Sequence, residues 1–167
     1  MNTLTANRLE RPLVLSASIA TDLMITNPIS IRADASVPEA SKILTDKGIA
    51  AAPVIDEAGR PIGVVSRSDL LVHHVEARKH HGEVPDYFAA PTFEFVDRLA
   101  DSGRTTTVSD VMTPAVFAVA PDTPVHRVVS DMLGLHVHRL FVVDDDGVLV
   151  GVISTMDVLK HLSADDA

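Results

Sequence analysis

The 167-residue chain has no cysteine and no tryptophan, and only 4% of its residues are aromatic. Without thiols there is no disulfide, no cysteine nucleophile and no Cys-ligated zinc or iron–sulfur centre. So few aromatics argue against a base-stacking platform for single-stranded nucleic acid, and they leave the interior to Val, Ile, Leu, Ala and Met. Positive charge is scarce as well. Fourteen Lys and Arg stand against 23 Asp and Glu, a net charge of −9, which disfavours nucleic acid and anionic membrane surfaces as partners. No apolar run approaches the roughly 18–20 residues that cross a bilayer. The stretch Pro12-Leu13-Val14-Leu15 after Arg8 and Arg11 is too brief for a secretory h-region. The expectation is a cytoplasmic protein.

Catalytic signatures are missing too. There is no H-E-x-x-H pair, no G-x-S-x-G elbow, no G-x-x-x-x-G-K loop and no G-x-G-x-x-G turn. No catalytic residue is assigned, and the chain reads as a non-enzyme. Eight histidines invite a metal reading, with His73-His74 and His80-His81 seven residues apart. A solvated helix end explains them better, because His favours the negative end of the helix dipole. No metal ligands are assigned.

What the chain does have is a repeat. Asp22-Leu23-Met24 returns as Asp110-Val111-Met112, Val54-Ile55-Asp56 as Val142-Val143-Asp144, and Gly63-Val64-Val65-Ser66 with Asp69 as Gly151-Val152-Ile153-Ser154 with Asp157. Matched positions are always 88 residues apart. Two copies are too few for a solenoid, so the repeat predicts a closed pseudo-two-fold pair whose junction could hold a ligand. The organisation expected is an arm over 1–19, a unit over 20–75, a partly helical linker over 76–107, a second unit over 108–162 and a tail over 163–167.

Each unit reads as β-α-β-β-α, an α+β fold. In the first, Ile29-Ser30-Ile31 alternates like a strand. Ser36 with Glu39 forms a capping box, and Gly48 ends the helix. Two strands then flank the turn at Asp56–Gly59, and Pro53 should sit at a strand start or an edge. In the second, Val116–Val119 is the strand, Thr123-Pro124 opens the helix, and Asp144-Asp145-Asp146-Gly147 is the hairpin turn. The linker collects Tyr87, Phe88, Phe93 and Phe95, either as a cover over the core or as a docking surface.

The repeated pattern resembles the CBS domain, named after cystathionine β-synthase, and two in tandem resemble a Bateman module. The residues that carry the likeness are Asp22–Thr26, Pro53–Asp56 and Gly63–Leu70, with counterparts beginning at Asp110-Val111-Met112-Thr113-Pro114. The resemblance implies two units packed through their sheets, with clefts on either side of the pseudo-axis. It implies AMP, ADP, ATP or S-adenosylmethionine as ligand, with no required cofactor, and a homodimer that signals to an unidentified protein partner. The alternative is a ligand-free interaction or dimerisation module working through the linker surface.

Candidate binding residues follow. Ser66 sits where a strand runs into a helix, so its hydroxyl and the helix-start amides could hold phosphate, with Arg67 adding charge. The two carboxylate oxygens of Asp69 suit the hydroxyls of a ribose, and Gly63 leaves room for the base. Ser154 and Asp157 are the equivalents in the second unit. Both serine–aspartate pairs are also plain capping motifs. The segment Val137–Asp144 is similar to part of the nucleotide-sensing subunit of AMP-activated protein kinase. That likeness implies that His138 and Arg139 face the phosphates of a ligand held by Asp69, leaving the Asp157 cleft with alanines as the weaker site. Adenine is expected near Ile29, Ser30, Ile31 and Val54, and near Val119 and Val142 in the second unit.

Overall fold

Local signals set many of the elements. Ser36 Oγ accepts from the Glu39 amide at 3.3 Å, while the Glu39 carboxylate accepts from the Ser36 amide at 3.2 Å, a reciprocal cap that opens a helix. Gly48, at φ +63°, reverses the chain at that helix's end, a conformation that costs glycine least. Asp144 Oδ1 accepts from the Asp146 and Val148 amides at 3.1 and 2.8 Å, fixing the second hairpin turn around Gly147 at φ +78°.

The computed structural model describes residues 13–80 and 106–164, so most of the linker and its aromatic residues lie outside the described residues. In order, the elements are β1 (Leu13–Leu15), α1 (Ala20–Leu23), β2 (Ile25–Thr26), β3 (Ile31–Arg32), α2 (Val37–Asp46), β4 (Ala51–Ile55), β5 (Pro61–Ser66), α3 (Arg67–His80), α4 (Val108–Val111), β6 (Ala118–Val119), α5 (Val125–Leu135), β7 (Arg139–Val143), β8 (Leu149–Ser154), α6 (Thr155–Lys160) and β9 (Leu162–Ala164). The fold class is α+β. Among the described residues three sheets form, with strand orders β3-β4-β5, β2-β8-β7-β6 and β1-β9.

The units are not self-contained. Ala20 and Leu23 of α1 pack in the core of the second unit with Val128, Leu140 and Ile153, while Val108 of α4 packs in the first with Ile31, Leu44 and Val65. Backbone hydrogen bonds make the same exchange in matched pairs. The Ala20 amide donates to Thr123 O and the Val108 amide to Ala35 O, each at 2.8 Å. Likewise Ile25 of β2 pairs with Val152, and Thr113 bridges Val64. Each repeat's leading turn therefore completes its neighbour. The 20–75 span counts Ala20 and Leu23 with the first unit, whereas their packing belongs to the second.

Three further differences from the sequence reading have local causes. The strands expected at 29–31 and 116–119 form only at Ile31–Arg32 and Ala118–Val119, and the first starts one residue later than its equivalent because Pro53 has no N–H for the Ile29 carbonyl. In the second unit the equivalent Phe141 amide does donate to Phe117 O, at 2.8 Å. Pro53 thus lies inside β4, but just before β3 begins to pair at Val54, where β4 is locally an edge. The arm, read as a loosely held segment, pairs instead: Leu13–Leu15 runs antiparallel to Leu162–Ala164, at the end of the second unit and the start of the tail.

Gly63 and Gly151 also have a different purpose. A Cβ on Gly63 would lie 2.7 Å from Thr113 O and 2.9 Å from Met112 Sδ, and one on Gly151 would lie 2.5 Å from Met24 Sδ. The space at Gly63, assigned from sequence to a ligand's ring, is filled by the crossing segment of the other unit.

A cavity at the junction of the units

The crossing leaves a cavity of about 460 Å³ between the two units, within the range of ordinary small-molecule sites. Its apolar walls straddle the pseudo-axis: Ile29, Pro53 and Val64 from the first unit are matched by Phe117, Phe141 and Val152 from the second. The polar end comes mainly from the second unit. Ser154, Asp157 and Arg139 line it, and the equivalent of Arg139, also in the lining, is Ala51.

Asp157 is the anchor of that end. It is only 4% exposed, and every part of it is held. Oδ2 accepts from the Ser154 amide at 2.9 Å and from the Ser154 hydroxyl at 2.5 Å, while Oδ1 accepts from Lys160 Nζ at 3.0 Å. Burial pushes the carboxyl's pKa up, but the Ser154 hydroxyl and amide and the Lys160 ammonium together hold it below the usual carboxylate range. A depressed carboxyl stabilises the fold fully above its unfolded pKa of about 3.9 and loses that contribution as pH falls through the folded value. Urea unfolding of the wild type is therefore expected to show a late acid loss below about pH 4, and Asp157→Asn is expected to lack that portion of the acid limb.

Arg139 reaches the cavity through strand register. In the antiparallel β7–β8 ladder it pairs with Ser154, so the two side chains share a face. This corrects the sequence reading, which set Arg139 opposite Asp69. His138 is not in the lining; its carbonyl accepts from the Thr155 amide at 3.0 Å and from the Thr155 hydroxyl at 3.3 Å. His136, the other histidine of that stretch, caps α5 in a left-handed conformation.

The first unit's candidates are arranged for capping. Asp69 Oδ2 accepts from the Ser66 amide and hydroxyl, both at 2.7 Å. Arg67 Nη2 donates to Leu44 O at 2.9 Å, tying α3 to the end of α2, where a cation suits the helix dipole. Two helix-start amides in each unit, among those expected to bind phosphate, are also taken. Arg67 N donates to Ala50 O and Thr155 N to His138 O, each at 3.0 Å, while the amides of Asp69 and Asp157 donate to the capping serines.

Of the residues expected beside adenine, Ile29 lines the cavity, whereas Ile31, Val54, Val119 and Val142 are buried in the two cores. Strand alternation decides this: Pro53 and Phe141 face the cavity, so their neighbours Val54 and Val142 face inward. Sequence reasoning missed Asn27 and Lys160. Asn27 lines the cavity at φ +48°, a conformation its short polar side chain tolerates better than most, and the dipeptide Asn27-Pro28 was the available signal. Lys160 was visible only as a residue three positions after Asp157, at contact spacing on a helix. The repeat hid both, since their equivalents are Ala115 and Val72.

A second hollow of about 340 Å³ lies by Arg32, Asp34, Asp56, Glu57 and Ser109. With three carboxylates against one guanidinium, already paired to Asp34 at 2.9 Å, it is unsuited to an anion. No group of three His, Asp or Glu able to hold a metal occurs among the described residues, and none of their helices is long and apolar enough to cross a membrane.

Residues 20–76 and 108–164 each match the CBS domain. The chain belongs to the CBS domain family. It is 32% identical over 143 residues to the chloroplastic CBS domain-containing protein CBSX1 of Arabidopsis thaliana, covering 83% of this chain and 58% of that protein. Among solved structures it resembles CBSX2, crystallised in complex with AMP, at 26% identity and a TM-score of 0.63, over 86% of this chain and 95% of that one. It also resembles the cytosolic domain of the Mg2+ channel MgtE in complex with ATP, at 28% identity and a TM-score of 0.61, over 86% of this chain and 48% of that one. The tandem arrangement is a CBS pair, the Bateman module.

Proposed function

We propose that this CBS pair is a regulatory module that binds an adenine nucleotide in the cavity between its units. The ribose hydroxyls meet Asp157 and the phosphate meets Arg139. One observation carries the reading: a single junction cavity combines apolar walls from both repeats with one buried carboxylate and one exposed guanidinium at the same end. Apolar walls suit a base, a carboxylate suits vicinal hydroxyls, and a guanidinium suits a phosphate. The relatives crystallised with AMP and with ATP support the same ligand class. AMP, ADP and ATP fit the charge at Arg139, whereas S-adenosylmethionine brings a cationic sulfonium and no phosphate.

Because the walls come from both units, a ligand that fits one relative position of the units better than another shifts the population toward it. That shift is the signal passed to a protein partner. The reading assigns no reaction to the chain.

Thermal melting with AMP, ADP, ATP and S-adenosylmethionine tests this. At about 100 times its dissociation constant a ligand stabilises by roughly 2.7 kcal/mol, or about 5–11 °C at 2–4 °C per kcal/mol for a chain of this size. A nucleotide shift that shrinks in Asp157→Asn is expected; no shift with any nucleotide refutes the reading.

A second reading, a ligand-free interaction module, is favoured by apolar side chains on α3 and α6. Leu71, Met156 and Leu159 are 54%, 60% and 50% exposed. These exposed side chains are proposed to dock a second copy of the chain. Sedimentation of the wild type against Leu71→Glu/Leu159→Glu checks the dimer independently of any ligand.

A further inference from the structure

Asp157 has one carboxylate oxygen, Oδ2, fully engaged by its capping serine. The other, Oδ1, carries the ammonium of Lys160 at 3.0 Å. A sugar seeking Asp157 must therefore take Oδ1 from Lys160 or share it. Asp69, the equivalent in the first unit, has Val72 where Asp157 has Lys160. Lys160 itself is 63% exposed, so its ammonium can leave on a flexible stem without unpacking the helix.

We propose that Lys160 makes the cavity select phosphorylated nucleosides over unphosphorylated ones. The inference rests on the nucleotide reading above. Any ligand whose sugar engages Oδ1 disrupts the Lys160–Asp157 pair. An uncharged nucleoside leaves the displaced ammonium with solvent alone. A nucleotide supplies a phosphate at the same polar end, where the freed ammonium joins Arg139 against it. The penalty thus falls on both ligands, and only the anionic one offsets it. Removing the ammonium should help the nucleoside and harm the nucleotide.

Isothermal titration of AMP and of adenosine into the wild type, Lys160→Met and Lys160→Arg tests this. Met keeps the stem and loses the charge, and Arg keeps the charge. In Lys160→Met, adenosine is expected to bind several-fold tighter and AMP several-fold weaker, so that the AMP-to-adenosine affinity ratio falls about tenfold. Lys160→Arg is expected to retain the wild-type ratio. If AMP binds the wild type and the ratio is unmoved in Lys160→Met, the role of Lys160 is overturned while the nucleotide site stands. If the wild type binds no nucleotide, both fall. Melting curves of the three proteins without ligand report whether either variant alters the fold.

Discussion

Gly63→Ala is expected to destabilise the chain by about 1–3 kcal/mol, the usual cost of forcing extra atoms into a packed site. The added methyl would meet Thr113 O at 2.7 Å, and that oxygen is not free to retreat. It accepts from the Val64 amide at 3.0 Å, while the Thr113 amide donates back to Val64 O at 2.9 Å. Relief therefore requires breaking the bridge between the units. Gly151→Ala should cost less, because the first atom it meets is the thioether of Met24, the movable end of a flexible side chain. Gly134→Ala supplies the opposite sign. Gly134 lies within α5 with nothing within 4 Å of the added methyl, so alanine should stabilise by about 0.5–1 kcal/mol through backbone entropy. Urea unfolding of the three variants measures the order; a neutral Gly63→Ala would contradict so close a crossing.

Arg139→Ala is expected to weaken AMP binding by about 10–150-fold, the equivalent of the roughly 1.5–3 kcal/mol of a charge-assisted contact. Adenosine binding should not change. The side chain is exposed and belongs to neither core, so melting without ligand should stay near the wild type. Asp69→Asn should leave the affinity of this cavity unaltered. The comparison reverses the ranking that the sequence suggested, in which the Asp69 cleft carried the basic residues. Equal losses in Arg139→Ala and Asp69→Asn would restore it.

Several features were legible because their causes lie within a few residues of one another. The Ser36–Glu39 cap, the Asp144–Gly147 turn and the serine–aspartate pairs at Ser66 and Ser154 close rings over two to four residues. The β-α-β-β-α order followed from apolar spacing punctuated by Gly and Pro. The same short range explains where the site was misread. Arg67 looks like a free donor in sequence, and what occupies it, Leu44 O, becomes apparent only from side-chain geometry. Val54 and Val142 fell on the wrong face because a one-residue change of strand phase turns every side chain over.

The repeat itself, its 88-residue offset, the β-α-β-β-α order of each unit and the family were decided by the amino-acid sequence, since each depends on residue order and local hydrogen bonding. Which repeat receives which leading turn was not. Asp22-Leu23-Met24 and Asp110-Val111-Met112 are near copies, and two near-identical segments suit either core by composition. Chain path and crossing geometry alone sent Ala20 and Leu23 to the second core and Val108 to the first. The position of Arg139 beside Asp157 is decided in the same way, by a ladder register that brings residues 139 and 154 face to face, and the site's electrostatics follow from that pairing.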